Sequence, residues 1–336
     1  MPPPSRAKSR TGWRGFDAHH GAAQLPRGGM CAFCGAKLLQ IGKRPMTQII
    51  NNLFEISDRY DALFVDLWGC VHDGVKALPD AVTALQAYRN GGGKVVLVTN
   101  SPRPRDGVIK QLAHFGVPDD AWDDIATSGD SARTAMYRGM VVGTQVWHLG
   151  PPTDKHFFDP SDVLDDPVDI HRVDLEDAEG IVCTGPFDPS EDPSVLRPQL
   201  LYAKQKGLKL LCANPDIVVD RGDVREWCAG AVAALYTEMG GESLYFGKPH
   251  PPIYDLARRK LYALDKDITD NGILAIGDGI HTDVKGAMGE DIDSLFISGG
   301  LAARETETQT QPDPEALIRY LEKETSAPTY TIGHLR

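Results

Sequence analysis

Residues 62–75 read "ALFVDLWGCVHDGV". The apolar run that opens this stretch has no polar alternation, the pattern of a strand buried on both faces, and such strands belong to parallel sheets covered by helices. It ends on Asp66, and a glycine-containing loop follows at once. In open α/β sheets ligands bind beyond the carboxyl ends of the strands, so a carboxylate at this tip stands where chemistry takes place. An Asp after a strand is also an ordinary turn or capping residue. What stands at the other strand tips decides between these readings.

Similar runs predict strands over 63–65, 95–98, 146–149, 181–183, 208–212, 274–276 and 295–297. Between several of them lie "DAVTALQAYRNGG", "PSVLRPQLLYAKQKG" and "PPIYDLARRKLYAL", which are apolar at three- and four-residue spacing, as in amphipathic helices. The alternation predicts an α/β fold with a doubly wound, Rossmann-like parallel sheet. After the second run comes "TNSPRP" with Thr99 and Asn100, and after the sixth "GDGIHTD" with Asp278 and Asp283. Just before the helix at 251, "YFGKPHPP" offers Lys248. Converging carboxylates bind a hard cation such as Mg²⁺ through oxygen, leaving room for a substrate phosphate. A hydroxyl, loop N–H groups and a lysine hold and neutralise a phosphoryl group. An aspartate there can be a nucleophile that forms an aspartyl-phosphate. Singly, "GDG" is a turn, Thr99 a cap and Lys248 a solvated charge. Together and in order they point to phosphoryl transfer.

Composition agrees with a small-molecule enzyme. The 336 residues suit two domains, and 41% hydrophobic with 24% charged residues is the balance of a soluble globular chain without a membrane span. A net charge of −12 argues against general nucleic-acid affinity, which Lys and Arg drive. Residues 1–45 are the exception, with eight Lys or Arg against Asp17 alone, leaving 27 basic and 46 acidic residues for the rest. That Pro-, Gly- and Arg-rich segment has no periodic apolar pattern and is expected to be a disordered basic tail. No continuous apolar stretch there makes a secretory signal, and Pro and Gly spoil the amphipathic helix of a transit peptide. Met46, where patterning begins, is a candidate translation start. Cys31 and Cys34 form the one C-x-x-C, half a zinc site at most. Cys70, Cys183, Cys212 and Cys228 read as reduced core thiols of a cytoplasmic protein.

The segments "FVDLWG", "VLVTNS", "FGKP" and "IGDGIHTDVKGA" resemble the four ordered motifs of the haloacid dehalogenase superfamily of hydrolases. Over about residues 50–335 the chain is similar to subclass IIA, the nitrophenyl phosphatase and pyridoxal phosphatase type. The resemblance implies a core from 46–126 and 244–336 with an α/β cap domain inserted at 127–243. "CANPD", 212–216, before "WCAGAVAALYTEMGG", resembles the cap's substrate-facing loop and following helix. It further implies that Asp66 is the nucleophile and a Mg²⁺ ligand, that Asp278 is a second ligand, and that Asp283 ligates or holds the metal's waters. Thr99 would hold phosphoryl oxygens and Lys248 would offset charge around the nucleophile. Asn100, Asn214 and Asp216 are candidate substrate-binding residues; Asp188 and Arg221 are suggested by loop position only. Any of these cap residues could equally be a turn former.

One position departs from the family pattern. The residue two after the nucleophile normally gives the metal its backbone carbonyl and the reaction a carboxylic acid, and here it is Trp68. The carbonyl survives the substitution, but an indole cannot transfer the proton, and such help is worth ~10² to 10⁴ in rate. The expectation is a Mg²⁺-dependent phosphatase of a small phosphorylated metabolite, slow or specialised for easy leaving groups. The alternatives are a catalytically weak or inactive phospholigand-binding regulator, or a phosphotransferase. His72 and Asp73 are candidate surrogate acids, although Asp-Gly is more often a plain turn. Enzymes of this type often pair through their caps, so a homodimer is one expectation.

Overall fold

The buried run around Leu63 becomes the centre of the molecule in a computed structural model, which describes residues 47–139, 141–159, 164, 166–221 and 224–336. These belong to one unit, Lys43–Arg336. The expectations for residues 1–45, with Cys31 and Cys34, and for Met46 lie outside the described residues, as does the side chain of Arg221.

In chain order the first four strands are β1 (Gln48–Ile49), β2 (Ala62–Val65), β3 (Lys94–Thr99) and β4 (Asp124–Thr127). Seven follow: β5 (Gln145–Leu149), β6 (His171–Arg172), β7 (Gly180–Cys183), β8 (Lys209–Cys212), β9 (Val218–Arg221), β10 (Val224–Trp227) and β11 (Glu242–Tyr245). The last three are β12 (Ile273–Gly277), β13 (Asp293–Ile297) and β14 (Tyr330–Ile332). The helices are α1 (Pro79–Asn90), α2 (Arg105–Phe115), α3 (Ser128–Tyr137), α4 (Arg197–Gln205), α5 (Ala229–Glu238), α6 (Pro251–Leu264), α7 (Lys285–Gly289) and α8 (Pro314–Lys323).

The main sheet is parallel throughout, in the order β1-β14-β13-β12-β2-β3-β4. Every residue of β2 is buried, because both faces are covered. Leu63 and Val65 pack with Leu85 of α1 and Leu112 of α2, whereas Ala62 and Phe64 pack with Ile253, Ala257 and Leu261 of α6. Full burial of one such aliphatic side chain is worth ~1.5–3 kcal/mol, which is why the run tolerates no polar residue. A second parallel sheet, β11-β8-β7-β5-β6, lies within 145–245 with α4 and α5 against one face, and β9 and β10 form an antiparallel hairpin beside it.

All seven predicted strands are present, within two residues of their expected ends. Seven more, β1, β4, β6, β9, β10, β11 and β14, are additional. They are two to four residues long, and six of them are sheet edges, where a strand need not be apolar on both sides. Among the described residues no helix is long and apolar enough to cross a membrane. Cys70, Cys183, Cys212 and Cys228 are free and buried.

Candidate active site

Asp66 continues the line of β2, its N–H donating to the Ile276 carbonyl at 2.8 Å, so the β2–β12 register carries through to the tip. The tip of β12 then delivers Asp278, and the π-helical turn Ile280–Val284 that leads into α7 delivers Asp283. The Lys248 ammonium, 3% exposed, lies 2.6 Å from Asp66 Oδ1 and 2.7 Å from Asp283 Oδ1. Asp283 Oδ2 accepts from the Gly279 N–H and the Thr282 hydroxyl, both at 3.1 Å. Both Asp283 oxygens are therefore engaged by the protein. The structure groups it with Lys248 and not with the Asp66 and Asp278 pair, which suits the water-holding version of its expected role better than direct ligation.

Oxygens of Asp66 and Asp278 and the Cys70 sulfur all lie within 4.8 Å of one another. Two glycines make room for the Asp278 carboxylate: a Cβ at Gly69 would come within 2.2 Å of its Oδ2, and one at Gly300 within 2.1 Å. Gly69 also has φ +72°, in the left-handed region where other residues are strained. Charge favours a cation here. Burial raises the pKa of Asp66 and Asp278, the latter further through Asp66 and Asp283, and burial moves Asp283 up to about 6 against the pull of Lys248. Burial alone would lower Lys248, but Asp283 and Asp66 outweigh it and hold the ammonium charged. Three carboxylates thus face one ammonium, and a hard divalent cation on oxygen donors fits the deficit. Cys70 does not fit such an ion. Burial first, and then the surrounding carboxylates, keep its thiol protonated.

Thr99 ends β3 with its hydroxyl accepting from the Ser101 N–H at 3.2 Å, leaving its proton to donate. Asn100, a candidate substrate-binding residue, is bonded to the Lys248 loop. Its Oδ1 accepts from the Lys248 N–H at 2.7 Å, and its Nδ2 donates to the Lys248 carbonyl at 3.1 Å and to Asp216 Oδ1 at 2.8 Å. The amide is spent on holding the Lys248 loop, so Asn100 positions the lysine. Asn214 accepts from the Asp216 N–H at 3.0 Å and shapes the loop after β8. Asp188 is exposed and caps its own turn through Ser190.

The Trp68 indole lies edge-on to the His72 ring, 5.3 Å between centroids, and over Gly74, where a Cβ would come within 2.3 Å of Trp68 Cζ2. His72 is 2% exposed, its Nδ1 accepts from the Gly74 N–H at 3.1 Å, and burial pushes its pKa down to about 4. It is a neutral packing residue, poorly suited as a general acid. Asp73 is exposed, and its Oδ1 accepts from Val75 and Lys76 N–H, which holds its pKa low in a plain turn. Neither surrogate expected for the missing acid has the required environment.

Asp66, Trp68, Thr99, Lys248 and Asp278 open into a cavity of about 800 Å³, which Asn214 and Asp216 also line. Sequence reading missed several of its lining residues. Asp154, from the 3₁₀ turn Pro152–Phe158, has its carboxyl pKa raised by burial; Thr184, Trp227 and Tyr245 join it. They come from four separate segments of the chain and share no motif.

A family model described as haloacid dehalogenase-like hydrolase matches residues 63–163, and a second HAD-like hydrolase model matches 245–323. The crystal structure of a hydrolase of the haloacid dehalogenase-like family from Brucella suis 1330 is 37% identical with a TM-score of 0.74, covering 86% of this chain and 100% of that one. The chain belongs to the haloacid dehalogenase-like hydrolases. The D-glycerol 3-phosphate phosphatase of Mycobacterium tuberculosis is 26% identical over 73% of this chain, which spans 65% of that protein's length. A glycerol phosphate phosphatase structure from the same organism, in complex with magnesium, shares the fold with a TM-score of 0.60 at 24% identity, over 83% of this chain and 76% of that one.

Proposed function

We propose that this hydrolase is a Mg²⁺-dependent phosphomonoesterase that acts on a small phosphorylated metabolite through an aspartyl-phosphate on Asp66. The observation that carries the reading is the buried Lys248 ammonium bridging Asp66 and Asp283 beside Asp278, at the tips of neighbouring strands. Asp66, Asp278 and the Trp68 backbone carbonyl would hold the metal. When bound, Mg²⁺ supplies positive charge that draws the phosphoryl oxygens toward Asp66 and offsets charge developing on them. Asp66 attacks phosphorus in line with the leaving oxygen; the Thr99 hydroxyl donates to a phosphoryl oxygen, and Lys248 keeps the attacking carboxylate ionised and aimed. Asn100 fixes the lysine through its own backbone. The insertion at 127–243 serves as a cap that closes the cavity over the substrate and selects it. The phosphatase relatives support this substrate class.

A second reading, a phospholigand-binding regulator, is favoured by one observation: Trp68 fills the loop with an indole that transfers no proton. One experiment separates the two. Purified protein is screened against a panel of phosphorylated metabolites with and without Mg²⁺. Phosphate release that needs Mg²⁺ and disappears in Asp66→Asn is expected. Mg²⁺-dependent ligand binding without release across the panel would favour the regulator.

A further inference from the structure

Proton transfer at this site needs a carboxyl, and the usual position holds Trp68. Three carboxyls enter the cavity from the insertion: Asp154, Asp216 and Glu226. Asp216 is tied to the reacting end. Asn100 Nδ2 reaches Asp216 Oδ1 at 2.8 Å and the Lys248 carbonyl at 3.1 Å, and the Lys248 ammonium stands 2.6 Å from Asp66. Asp154 instead interacts with Thr184 and Arg103. Resting on the phosphatase reading above, we infer that Asp216, projected from the insertion, is the general acid and base that replaces the carboxyl missing at position 68.

The loop is built to hold it there. Asn214 Oδ1 accepts the Asp216 N–H, and a Cβ on Gly230 would come within 2.1 Å of the Pro215 carbonyl and 2.4 Å of the Asp216 carbonyl, so α5 packs directly beneath the loop. Asn100 occupies Oδ1, and the proton is assigned to the second oxygen. Burial raises the carboxyl's pKa, Asn100 and Lys248 oppose this, and Asp283 adds to it; Asp66 and the Cys212 and Cys228 thiols also face it. A carboxyl held above its usual range is one that can be protonated before the first step and ionised before the second.

The steps balance. As Asp66 attacks phosphorus, the bond to the ester oxygen breaks and its electron pair takes the proton of Asp216. This yields the free alcohol, the Asp66 acyl phosphate and an Asp216 carboxylate. That carboxylate then removes a proton from water as the water oxygen bonds to phosphorus. The acyl phosphate bond breaks, inorganic phosphate leaves, Asp66 is restored and Asp216 is protonated again.

The test is Asp216→Asn, whose amide oxygen still accepts from Asn100, assayed with glycerol phosphate and with nitrophenyl phosphate. Glycerol phosphate turnover should fall ~10² to 10⁴-fold. Formation of the acyl phosphate from nitrophenyl phosphate should change less than tenfold, and a nitrophenol burst should appear because water attack is now slow. Trp68→Asp placed on Asp216→Asn should recover glycerol phosphate turnover at least tenfold. Equal losses on both substrates with no burst would make Asp216 a positioning residue and overturn the inference, as would a leaving-group-dependent loss in Asp154→Asn but not in Asp216→Asn. If Asp216→Asn does not fold, the unmodified protein decides. Its kcat/KM for glycerol phosphate should fall on the alkaline side while that for nitrophenyl phosphate stays level, and parallel profiles would overturn the inference. No Mg²⁺-dependent turnover by the parent on either substrate or any of the metabolite panel would count against the phosphatase reading, a different failure from either of these.

Discussion

The Trp68 indole fills the space over Gly74 and against His72, so a carboxylate in its place trades packing for a titratable proton. With Asp216 already transferring the proton, Trp68→Asp alone should leave alkyl phosphate turnover within about tenfold of the parent, or lower it, because the lost indole leaves a cavity. A rise approaching the ~10² to 10⁴ that acid–base catalysis supplies would mean that proton transfer is missing from the parent. His72 gives a separate prediction. Its pKa is lowered from 6.5 to about 4 by burial, so between those values the unfolded chain binds more protons than the folded one. Its contribution to stability is whole above pH 6.5 and is lost as pH falls toward 4, by up to about 3 kcal/mol at ~1.4 kcal/mol per unit. His72→Asn, which can still accept the Gly74 N–H but does not titrate, should flatten that part of the stability profile in denaturant titrations at pH 7 and pH 5. Parallel slopes for parent and variant would contradict the assignment.

At the scale of elements, the tip of β3 latches two loops separated from it by more than a hundred residues. Asn100→Ala would leave the buried N–H and C=O of Lys248 without their partner, at about 1–3 kcal/mol for each group, and free Asp216 as well. A melting temperature lowered by several degrees together with a rate loss of ~10²-fold is expected, since a small misplacement of a reacting group costs that much. Loss of stability with an intact rate would show that the latch does not serve Lys248. This latch was not legible in the sequence. "VLVTNS" announces a strand and its tip, and period and composition suffice for that, but a hydrogen bond across 148 positions leaves no local pattern. The same limit hid the hairpin β9–β10 and the edge strands, which lack a buried apolar run. By contrast Asp66, Thr99 and Asp278 were legible, because tips of buried parallel strands converge whatever the loops between them do, and Lys248 was legible through the short segment "FGKP" before α6. Gly69 and Gly300 lie between those extremes. Only the fold reveals that both leave space for one carboxylate.

Across the whole molecule the charge deficit at the sheet's carboxyl edge couples metal binding to folding. Mg²⁺ should raise the melting temperature by mass action on the folded state, with a gain near 2.7 kcal/mol at roughly a hundred times its dissociation constant. Asp278→Ala should remove that gain and leave the metal-free melting temperature within a few degrees, since a tip residue supports no core. Equal Mg²⁺ stabilisation of variant and parent would put the metal elsewhere. Asp66 and residues of the second sheet's segment line one cavity, and the proposed reaction stands on covalent chemistry at that one carboxylate. The most direct measurement is therefore to quench a turning-over mixture of enzyme, Mg²⁺ and a phosphate ester in acid and locate the bound phosphoryl group by mass spectrometry. The account predicts a phosphoryl adduct on Asp66 that needs Mg²⁺ and is absent in Asp66→Asn; rapid turnover in Asp66→Asn, or an adduct on another residue, would contradict it.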